Sequence, residues 1–299
     1  MTTDTSLLHG VFPAMVTPFA EDDSIDHEAL AAEAQRLEAA GVDGLVPAGS
    51  TGESATLSHD EHVEVVETVV EAVDVPVIAG TGSNNTAEAL SLSRRAADAG
   101  ADALLLISPY YNKPEPDGME AHFRTIADEI DLPQIVYNVP SRTGRSIEVD
   151  TAVSLASHEN IRGYKAASGN VAAISELVER TQNEEFAVLS GDDPLTLPIL
   201  SVGGVGAISV TANVAPVRVA EVVRAALEND FEAARRAHHE LGPLTRALFA
   251  ETNPIPVKEA LHYTDGVSPR VRSPLSRLSR EHRRELETLL SELELGVRT

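Results

Sequence analysis

Lysine is scarce in this sequence, and the position of one lysine suggests chemistry. The chain has 23 Lys plus Arg residues, of which only Lys113, Lys165 and Lys258 are lysines. Lys165 ends the short apolar stretch IRGYK. Desolvation disfavours the ammonium form of an amine held among apolar groups, and a neutral amine can attack a ketone to form a Schiff base. Lys165 is therefore predicted to be a nucleophile; the alternative is a structural lysine paired with a carboxylate.

Other polar side chains follow apolar stretches elsewhere in the chain. Tyrosine hydroxyls linked to a serine hydroxyl can shuttle the protons that Schiff-base chemistry releases and takes up. The hydroxyls and backbone N–H groups of the GST triplet can hold a carboxylate, so a 2-keto acid would suit the whole set. No metal or other cofactor is needed, because the iminium is itself the electrophile. The set comprises Ser50, Thr51, Tyr110, Tyr111, Tyr137 and Arg142. Taken alone, a tyrosine at position 137 would more often be a packing residue at the mouth of the barrel.

Eight short apolar runs recur along the first 210 residues and predict buried strands, several of which end at these residues. Most are continuously apolar rather than alternating, as is typical of strands covered on both faces. They span residues 11–17, 43–49, 75–80, 102–108, 133–138, 161–165, 186–191 and 206–210.

Stretches with helical periodicity separate most of the runs. Asp26 is a predicted N-cap of one helix, and Ser58 with Glu61 has the spacing of a capping box. Eight strand–helix units predict an α/β fold, a (β/α)8 TIM barrel, over residues 1–225. An open doubly wound sheet is the rival, but the first strand ends in VTPF rather than a glycine-rich turn. Residues 226–299 are predicted to form a small C-terminal helical appendage of two helices, with TNPIPVKEA between them.

Composition restricts the classes of function and partner. The 47 Asp plus Glu residues give a formal net charge of -24, which disfavours nucleic acid and anionic membranes as partners. An acidic, lysine-poor chain is typical of a protein adapted to high salt. The absence of cysteine excludes disulfides and thiolate chemistry. No signal peptide or membrane span is recognisable, so a cytoplasmic location is predicted.

Two short motifs could in principle bind metal. HDEH places His59 and His62 three residues apart, but the first turn of a capped helix is the favoured explanation of the spacing. GDD, at residues 191–193, contains one acidic pair, for which loop solvation or helix capping is an equal explanation. The sequence therefore predicts no metal site.

The ordered motifs give the chain a family resemblance. It resembles the dihydrodipicolinate synthase family, within the N-acetylneuraminate lyase group of class I aldolases. The resemblance extends from VFPAMVTPF to NPIPVK and covers about 240 residues. The motifs that carry it are GSTGESATLSHDEH, VIAGTGSNNTAEA, SPYYNKP, YNVPSRTG, LSGDD, ISVTANV and NPIPVK. It implies a barrel fold and condensation of pyruvate with L-aspartate 4-semialdehyde on the route to diaminopimelate and lysine.

The resemblance also implies roles for individual residues. Lys165 matches the lysine that forms the imine with pyruvate, and Tyr137 matches the proton-transferring tyrosine. Ser50 lies where many members have threonine, and it keeps the hydroxyl of the proton relay. Tyr111 matches a relay tyrosine that reaches into a neighbouring subunit, which implies a homo-oligomer, usually a tetramer.

Binding residues follow from the same comparison. Thr51 and the backbone of Ile208 match pyruvate-binding positions, and Arg142 matches the arginine that holds the carboxylate of the semialdehyde. A feedback site for L-lysine at a subunit interface is implied by Ser54, Ala55, His59, His62, Asn84, Glu88 and Tyr110.

Two other functions remain open from the sequence. A 2-keto-3-deoxy sugar acid aldolase would use the same lysine imine, although Arg142 favours an aldehyde that carries a carboxylate. A non-catalytic barrel that senses a keto acid or an amino acid is the rival from another class, and the combined lysine, tyrosine and hydroxyl set argues against it.

Overall fold

A computed structural model describes residues 5–295 of the chain. Within them, seven parallel strands form one sheet in the order β1-β7-β6-β5-β4-β3-β2. The strands are β1 (Gly10–Pro13), β2 (Ile78–Gly80), β3 (Ala103–Ile107), β4 (Gln134–Asn138), β5 (Ile161–Ala166), β6 (Ala187–Ser190) and β7 (Gly206–Ser209). Each lies within or next to one of the predicted apolar runs. The chain is therefore an α/β protein, as the sequence predicts.

Helices separate and follow the strands. Those of the first 227 residues are α1 (His27–Ala39), α2 (His59–Ala72), α3 (Thr86–Asp98), α4 (Pro116–Ala127), α5 (Pro140–Thr143), α6 (Val149–Ala156), α7 (Val171–Arg180), α8 (Thr196–Ser201) and α9 (Pro216–Leu227). The last three are α10 (Phe231–Leu248), α11 (Ile255–Asp265) and α12 (Arg280–Glu292). From residue 5 to residue 295, none has the length and apolar character needed to cross a membrane.

The sheet is curled around an apolar interior. Side chains from six of its strands meet in one buried cluster, in which Phe12 of β1 and Ile78 of β2 come from opposite edges of the strand order. A second cluster fills the space between the sheet and the surrounding helices. A third joins β1 and α9 to the C-terminal helices. The inner cluster surrounds the position at which β5 presents Lys165.

The predicted strand at 43–49 is not formed as a regular strand. The segment makes two isolated parallel bridges, Ala14 with Val46 and Leu45 with Val77. Its hydrogen bonds lie on both sides, from Val46 N to Pro13 O at 3.0 Å and from Ile78 N to Leu45 O at 2.8 Å. Pro47 has no N–H to donate, although its carbonyl still accepts from Gly80 N at 3.0 Å, and the φ of 54° at Ala48 ends the extended conformation there.

The predicted helix starts at α1 and α2 are confirmed. Asp26 accepts a hydrogen bond from Ala29 N at 3.0 Å at the start of α1. Ser58 and Glu61 form the reciprocal capping box of α2. Both caps satisfy backbone N–H groups that have no partner within the helix.

The C-terminal region differs from the prediction in two places. Residues 228–230 interrupt the helical stretch, because Asn229 adopts a left-handed φ of 64° and Asp230 caps a new helix, α10. The connector TNPIPVKEA is largely the beginning of helix α11. Proline suits the first turn of a helix, where an N–H would have no partner, so NPIPVK starts a helix rather than linking two. The proposed boundary near residue 225 stays a prediction.

Candidate active site

Lys165 projects into the interior of the curled sheet. Gly163 lies two residues earlier on β5, and a Cβ at that position would face Ile135 and Leu8 of the inner cluster. Because side chains two residues apart on a strand share a face, Lys165 points to the same interior. Its exposed fraction is 5%. Tyr137 of β4 is its register partner, and Lys165 Nζ lies 4.2 Å from the centroid of the Tyr137 ring. The apolar periodicity of two neighbouring strands therefore brings amine and phenol together.

Gly191 leaves the space that the lysine side chain occupies. A Cβ at this position would lie 2.7 Å from Lys165 Cγ and 2.8 Å from Lys165 Cε. The backbone is fixed by a hydrogen bond of 2.8 Å from Gly191 N to Ala166 O. Any larger residue would displace the amine. In the sequence, this glycine is notable only as the end of the apolar run 186–191 and as part of the GDD and LSGDD motifs.

Burial changes the protonation of both groups. Desolvation lowers the pKa of Lys165 to about 7, with Asp193 opposing the change and Arg142 adding to it. A substantial fraction of the amine is therefore neutral, and nucleophilic, near neutral pH. Burial raises the pKa of Tyr137 to about 12, so its phenol stays protonated and can donate to a developing charge.

A cavity of about 540 Å³ opens above the lysine. Five of the predicted site residues line it, namely Ser50, Thr51, Tyr137, Arg142 and Lys165. Arg142 is exposed at the rim, and its Nη2 donates to Asn253 O at 3.2 Å. The cavity thus combines an amine at its floor with a guanidinium at its entrance. That arrangement suits a small keto acid bound deep and an anionic second molecule bound above it.

Two other predicted residues lie outside this cavity. The Tyr111 side chain is 89% exposed, and its backbone has a left-handed φ of 70°. Ile208 is buried on β7 beside Phe12 of β1. Within residues 5–295, no hydrogen bond joins Tyr111, Ser50 and Tyr137. Their proposed roles stay predictions.

Asp193 supports the site in a way that the motif GDD did not reveal. Its Oδ2 accepts hydrogen bonds from Val210 N at 3.0 Å, Thr211 N at 2.9 Å and Thr211 Oγ1 at 3.0 Å. Asp193 thereby fixes the segment that follows β7 and places a negative charge near the lysine. Asp192 lines the cavity, and burial raises its pKa. Of the two carboxylates of GDD, Asp193 therefore has a structural role.

The C-terminal region also contributes to the cavity. Residues 249–253, between α10 and α11, form part of its wall. From the sequence, this region is predicted to be an appendage packed on the barrel. The only signal that could have indicated its role is the NPIPVK motif, which begins at Asn253.

A second cavity of about 380 Å³ lies beside the first. The two share Ser50, Tyr137 and Arg142 as lining residues. Six residues of the predicted lysine site line the second cavity: Ser54, Ala55, His59, His62, Glu88 and Tyr110. The seventh, Asn84, is not among its lining residues, and its carbonyl accepts from Asn112 Nδ2 at 2.8 Å.

The histidines of HDEH have partners other than a metal. His59 Nε2 lies 2.7 Å from Glu88 Oε1, and His62 Nε2 lies 2.5 Å from Gly80 O. In the part of the chain that is described, no group of three or more His, Asp or Glu side chains could hold a metal ion. The capped start of α2 accounts for the spacing of the two histidines.

The lowered pKa of Lys165 predicts the pH dependence of imine formation. Below about pH 7 the amine is protonated and has no free lone pair, so we expect the rate of imine formation with a small keto acid to fall about tenfold per pH unit there. Above that pH the rate should level off. Rates of borohydride-trapped adduct formation between pH 5.5 and 9.5 measure this. A rate that still rises tenfold per unit at pH 9 would contradict the lowered pKa.

Comparisons with known proteins agree with this geometry. The model of the dihydrodipicolinate synthetase family matches residues 7–293. A 4-hydroxy-tetrahydrodipicolinate synthase from Haloarcula marismortui is 68% identical over 287 residues, which are 96% of this chain and 94% of that protein. The crystal structure of dihydrodipicolinate synthase from Aquifex aeolicus has a TM-score of 0.94 and 44% identity, covering 97% of this chain and 100% of that one. A dihydrodipicolinate synthase from Cyanidioschyzon merolae, solved with lysine bound, has a TM-score of 0.92 and 36% identity, covering 97% and 99%.

Proposed function

The chain belongs to the dihydrodipicolinate synthetase family, and on that premise we propose that it is a 4-hydroxy-tetrahydrodipicolinate synthase that works through an imine at Lys165. The observation that carries the mechanism is the position of Lys165. Its amine is buried at the floor of a cavity, next to a protonated phenol, and its pKa lies near neutrality. These conditions favour attack on a ketone.

The first half of the reaction uses pyruvate. Lys165 Nζ attacks C2 of pyruvate, the resulting carbinolamine loses water, and an iminium forms. The hydroxyls of Ser50 and Thr51, both on the cavity wall, are available to the pyruvate carboxylate or to proton transfer. The iminium withdraws electrons, so a C3 proton is lost and an enamine forms. Tyr137, in contact with the amine, is placed to move that proton.

The second half uses L-aspartate 4-semialdehyde. The enamine C3 attacks the aldehyde carbon, a carbon–carbon bond forms, and the aldehyde oxygen takes up a proton. The amine of the semialdehyde then attacks C2 and displaces Lys165, which closes the ring and frees the enzyme. Arg142 at the cavity rim can hold the semialdehyde carboxylate through two parallel hydrogen bonds. One water is lost overall, and no oxidant or reductant is required.

The experiment that tests this function compares two aldehyde classes. Purified protein in molar salt should condense pyruvate with aspartate semialdehyde faster than it releases pyruvate from 2-keto-3-deoxy sugar acids. Borohydride reduction in the presence of pyruvate should leave an adduct on Lys165, located by peptide mass spectrometry. An adduct with faster sugar-acid cleavage would identify a sugar-acid aldolase instead.

Arg142 should determine the preference for an anionic aldehyde. We expect Arg142→Ala to lower kcat/KM for aspartate semialdehyde about 100-fold, because the substrate carboxylate loses a charge-assisted, bidentate partner and is left without a counter-charge. Pyruvate adduct formation should change less than threefold. Steady-state kinetics with the aldehyde varied at saturating pyruvate measures this. Arg145→Ala is the matched control, because Arg145 pairs with Glu115 and lines neither cavity; an equal loss there would contradict the assignment.

Assembly belongs to the same proposal. The exposed, left-handed Tyr111 is held away from the cavity of its own chain, and this supports its donation to the cavity of a second copy. We therefore propose a homo-oligomer, with a tetramer as the expected form. The backbone hydrogen bonds on both sides of residues 45–46 support a closed eight-stranded barrel within each copy. A cytoplasmic location remains a prediction.

We also propose that L-lysine inhibits the enzyme by binding in the second cavity. Glu88 and Tyr110 line this cavity and can meet the ammonium and carboxylate groups of an amino acid. Because the cavity shares Ser50, Tyr137 and Arg142 with the first, an occupant there would touch the walls of the catalytic cavity.

Inhibition should depend on the charge of Glu88. We expect millimolar L-lysine to lower initial rates, and Glu88→Gln to raise the half-inhibiting lysine concentration about tenfold by removing the carboxylate partner of the ammonium group. Glu129→Gln, a change at an exposed glutamate paired with Arg94, serves as the control. Unchanged rates and no calorimetric signal at millimolar lysine would overturn the site.

A further inference from the structure

A second lysine of this lysine-poor chain is fully buried. Lys258 lies on α11 with an exposed fraction of 0%. Its Nζ donates to Glu53 Oε1 at 2.5 Å and to Arg270 O at 2.8 Å, and it lies 4.2 Å from the centroid of the Phe19 ring. Such burial is costly unless a charge is paired and hydrogen-bonded, and all of these conditions are met here. The proposed mechanism makes no use of this lysine.

Both carboxylate oxygens of Glu53 accept hydrogen bonds from residues of the C-terminal region. Its side chain is 0% exposed, and Oε2 accepts from Arg272 N at 2.9 Å while Oε1 accepts from Lys258. Lys258 is 205 positions away in sequence. The carboxylate is therefore one of the points at which the C-terminal region attaches to the first part of the chain.

Glu53 lies at the centre of the segment that carries two catalytic-cavity hydroxyls. Its N donates to Ser50 O at 3.3 Å, and its carbonyl accepts from Thr56 N at 2.8 Å. Its backbone is left-handed, with a φ of 56°, which is unfavourable for a residue with a Cβ. Such a conformation persists only where surrounding contacts hold it, and the bound carboxylate supplies those contacts. The positions of Ser50 and Thr51 thus depend on the hydrogen bonds that hold the Glu53 carboxylate.

Arg272 adds further contacts to the same segment. Its guanidinium donates to Thr56 O at 3.0 Å, Asp23 O at 2.7 Å and Glu61 Oε1 at 2.5 Å. The chain after α11 therefore lies across residues 53–61 and leaves the segment few alternative positions.

We propose that the buried Lys258–Glu53 pair is a positioning device that holds residues 49–57 in the conformation that presents Ser50 and Thr51 to pyruvate. The inference rests on the proposed function, because it assigns those hydroxyls to the pyruvate site. It gives the C-terminal helices a part in substrate binding. Lys258 acts through Glu53 and does not touch the substrate.

Hydrogen exchange and pyruvate titration of variants test this device. In Lys258→Met, amide exchange of residues 49–57 should accelerate at least tenfold. The pyruvate concentration that half-saturates borohydride trapping at Lys165 should rise about tenfold. Should this variant not fold, Glu53→Gln keeps the shape of the side chain and should raise the half-saturating concentration about threefold.

Two further variants separate positioning from stability. Glu259→Gln weakens another largely buried carboxylate on α11, which pairs with Arg277 and Arg283 and does not contact residues 49–57. It should lower the melting temperature and change the half-saturating concentration less than twofold. Lys258→Met/Glu53→Gln removes both charges, so the melting temperature should recover relative to Lys258→Met while the half-saturating concentration stays raised.

A recovery of both quantities in the double variant would overturn the proposal, as would equal exchange of residues 49–57 in Lys258→Met and Glu259→Gln. Absence of a Lys165 adduct in the unaltered protein would contradict the proposed function instead. The exchange measurement would still decide for or against the positioning device in that case, because it does not depend on the chemistry.

Discussion

Replacing Lys165 with methionine is expected to reduce turnover at least about 1000-fold and to abolish the borohydride-trapped pyruvate adduct. The substitution removes the nucleophile on which every later step depends, and single nucleophile losses in other enzymes reach or exceed this size. Turnover assays and intact mass spectrometry measure the two effects. The exposed Lys113 supplies the matched control, since Lys113→Met removes an amine that lines neither cavity.

The same variant should be more stable than the unaltered protein. Folding lowers the pKa of Lys165 from 10.5 to about 7, so the unfolded chain binds more protons between these pH values. Stability therefore rises with pH across that window, and the penalty for burying the amine is fully present below about pH 7. Methionine removes the penalty, and we expect a gain of about 1–3 kcal/mol at pH 7. A folded, stabilised protein that retains turnover would contradict the mechanism.

Lys258→Met should lower the stability of the protein, whereas Lys165→Met should raise it. Lys165 has no hydrogen-bonded carboxylate within residues 5–295, whereas Lys258 holds Glu53. Removing Lys258 leaves a buried carboxylate without its main partner, a change that typically costs about 3–5 kcal/mol. Two buried lysines in one lysine-poor chain are thus distinguished by their partners. The Lys258 amine is held by Glu53 and the Arg270 carbonyl, whereas we propose that the Lys165 amine is the one that reacts.

Sequence patterns were sufficient to predict the position of a residue where that position follows from the regular geometry of its own strand or helix. The apolar runs of β4 and β5 predict parallel neighbours whose ends meet, and this brings Tyr137 to Lys165. The caps of α1 and α2 follow from a few adjacent residues. The segment 43–49 is the exception, because Pro47 and the left-handed Ala48 disturb the ladder although the residues remain apolar.

Contacts between distant parts of the chain could not be predicted in the same way. Nothing in the local pattern of NPIPVK shows that Asn253 borders the cavity or that Lys258 binds a carboxylate 205 positions away. The packing of the whole chain determines these contacts. Lysine scarcity was nevertheless an indirect signal, because two of the three lysines are buried, and we propose a role for each of these amines.

Loss of the Tyr137 hydroxyl should slow proton transfer without preventing pyruvate from forming its adduct with Lys165. We expect Tyr137→Phe to lower kcat about 100- to 1000-fold, within the range of general acid–base contributions. Phenylalanine keeps the ring beside Lys165 Nζ, so the yield of the pyruvate adduct after long incubation should be unchanged. The variant therefore separates imine stability from proton movement.

Exchange of the pyruvate methyl protons isolates the step concerned. In D2O without aldehyde, proton NMR follows enamine formation directly, and its rate should fall about 100-fold in Tyr137→Phe. Tyr164→Phe is the matched control, because it removes the hydroxyl of another buried tyrosine. Tyr164 precedes Lys165 in sequence, but its ring lies on the other face of β5, in the layer between the sheet and the helices. The control should exchange within about threefold of the unaltered enzyme. Equal exchange rates in the two variants would remove Tyr137 from the proton path and direct attention to Ser50, the remaining hydroxyl that was predicted for the relay and lines both cavities.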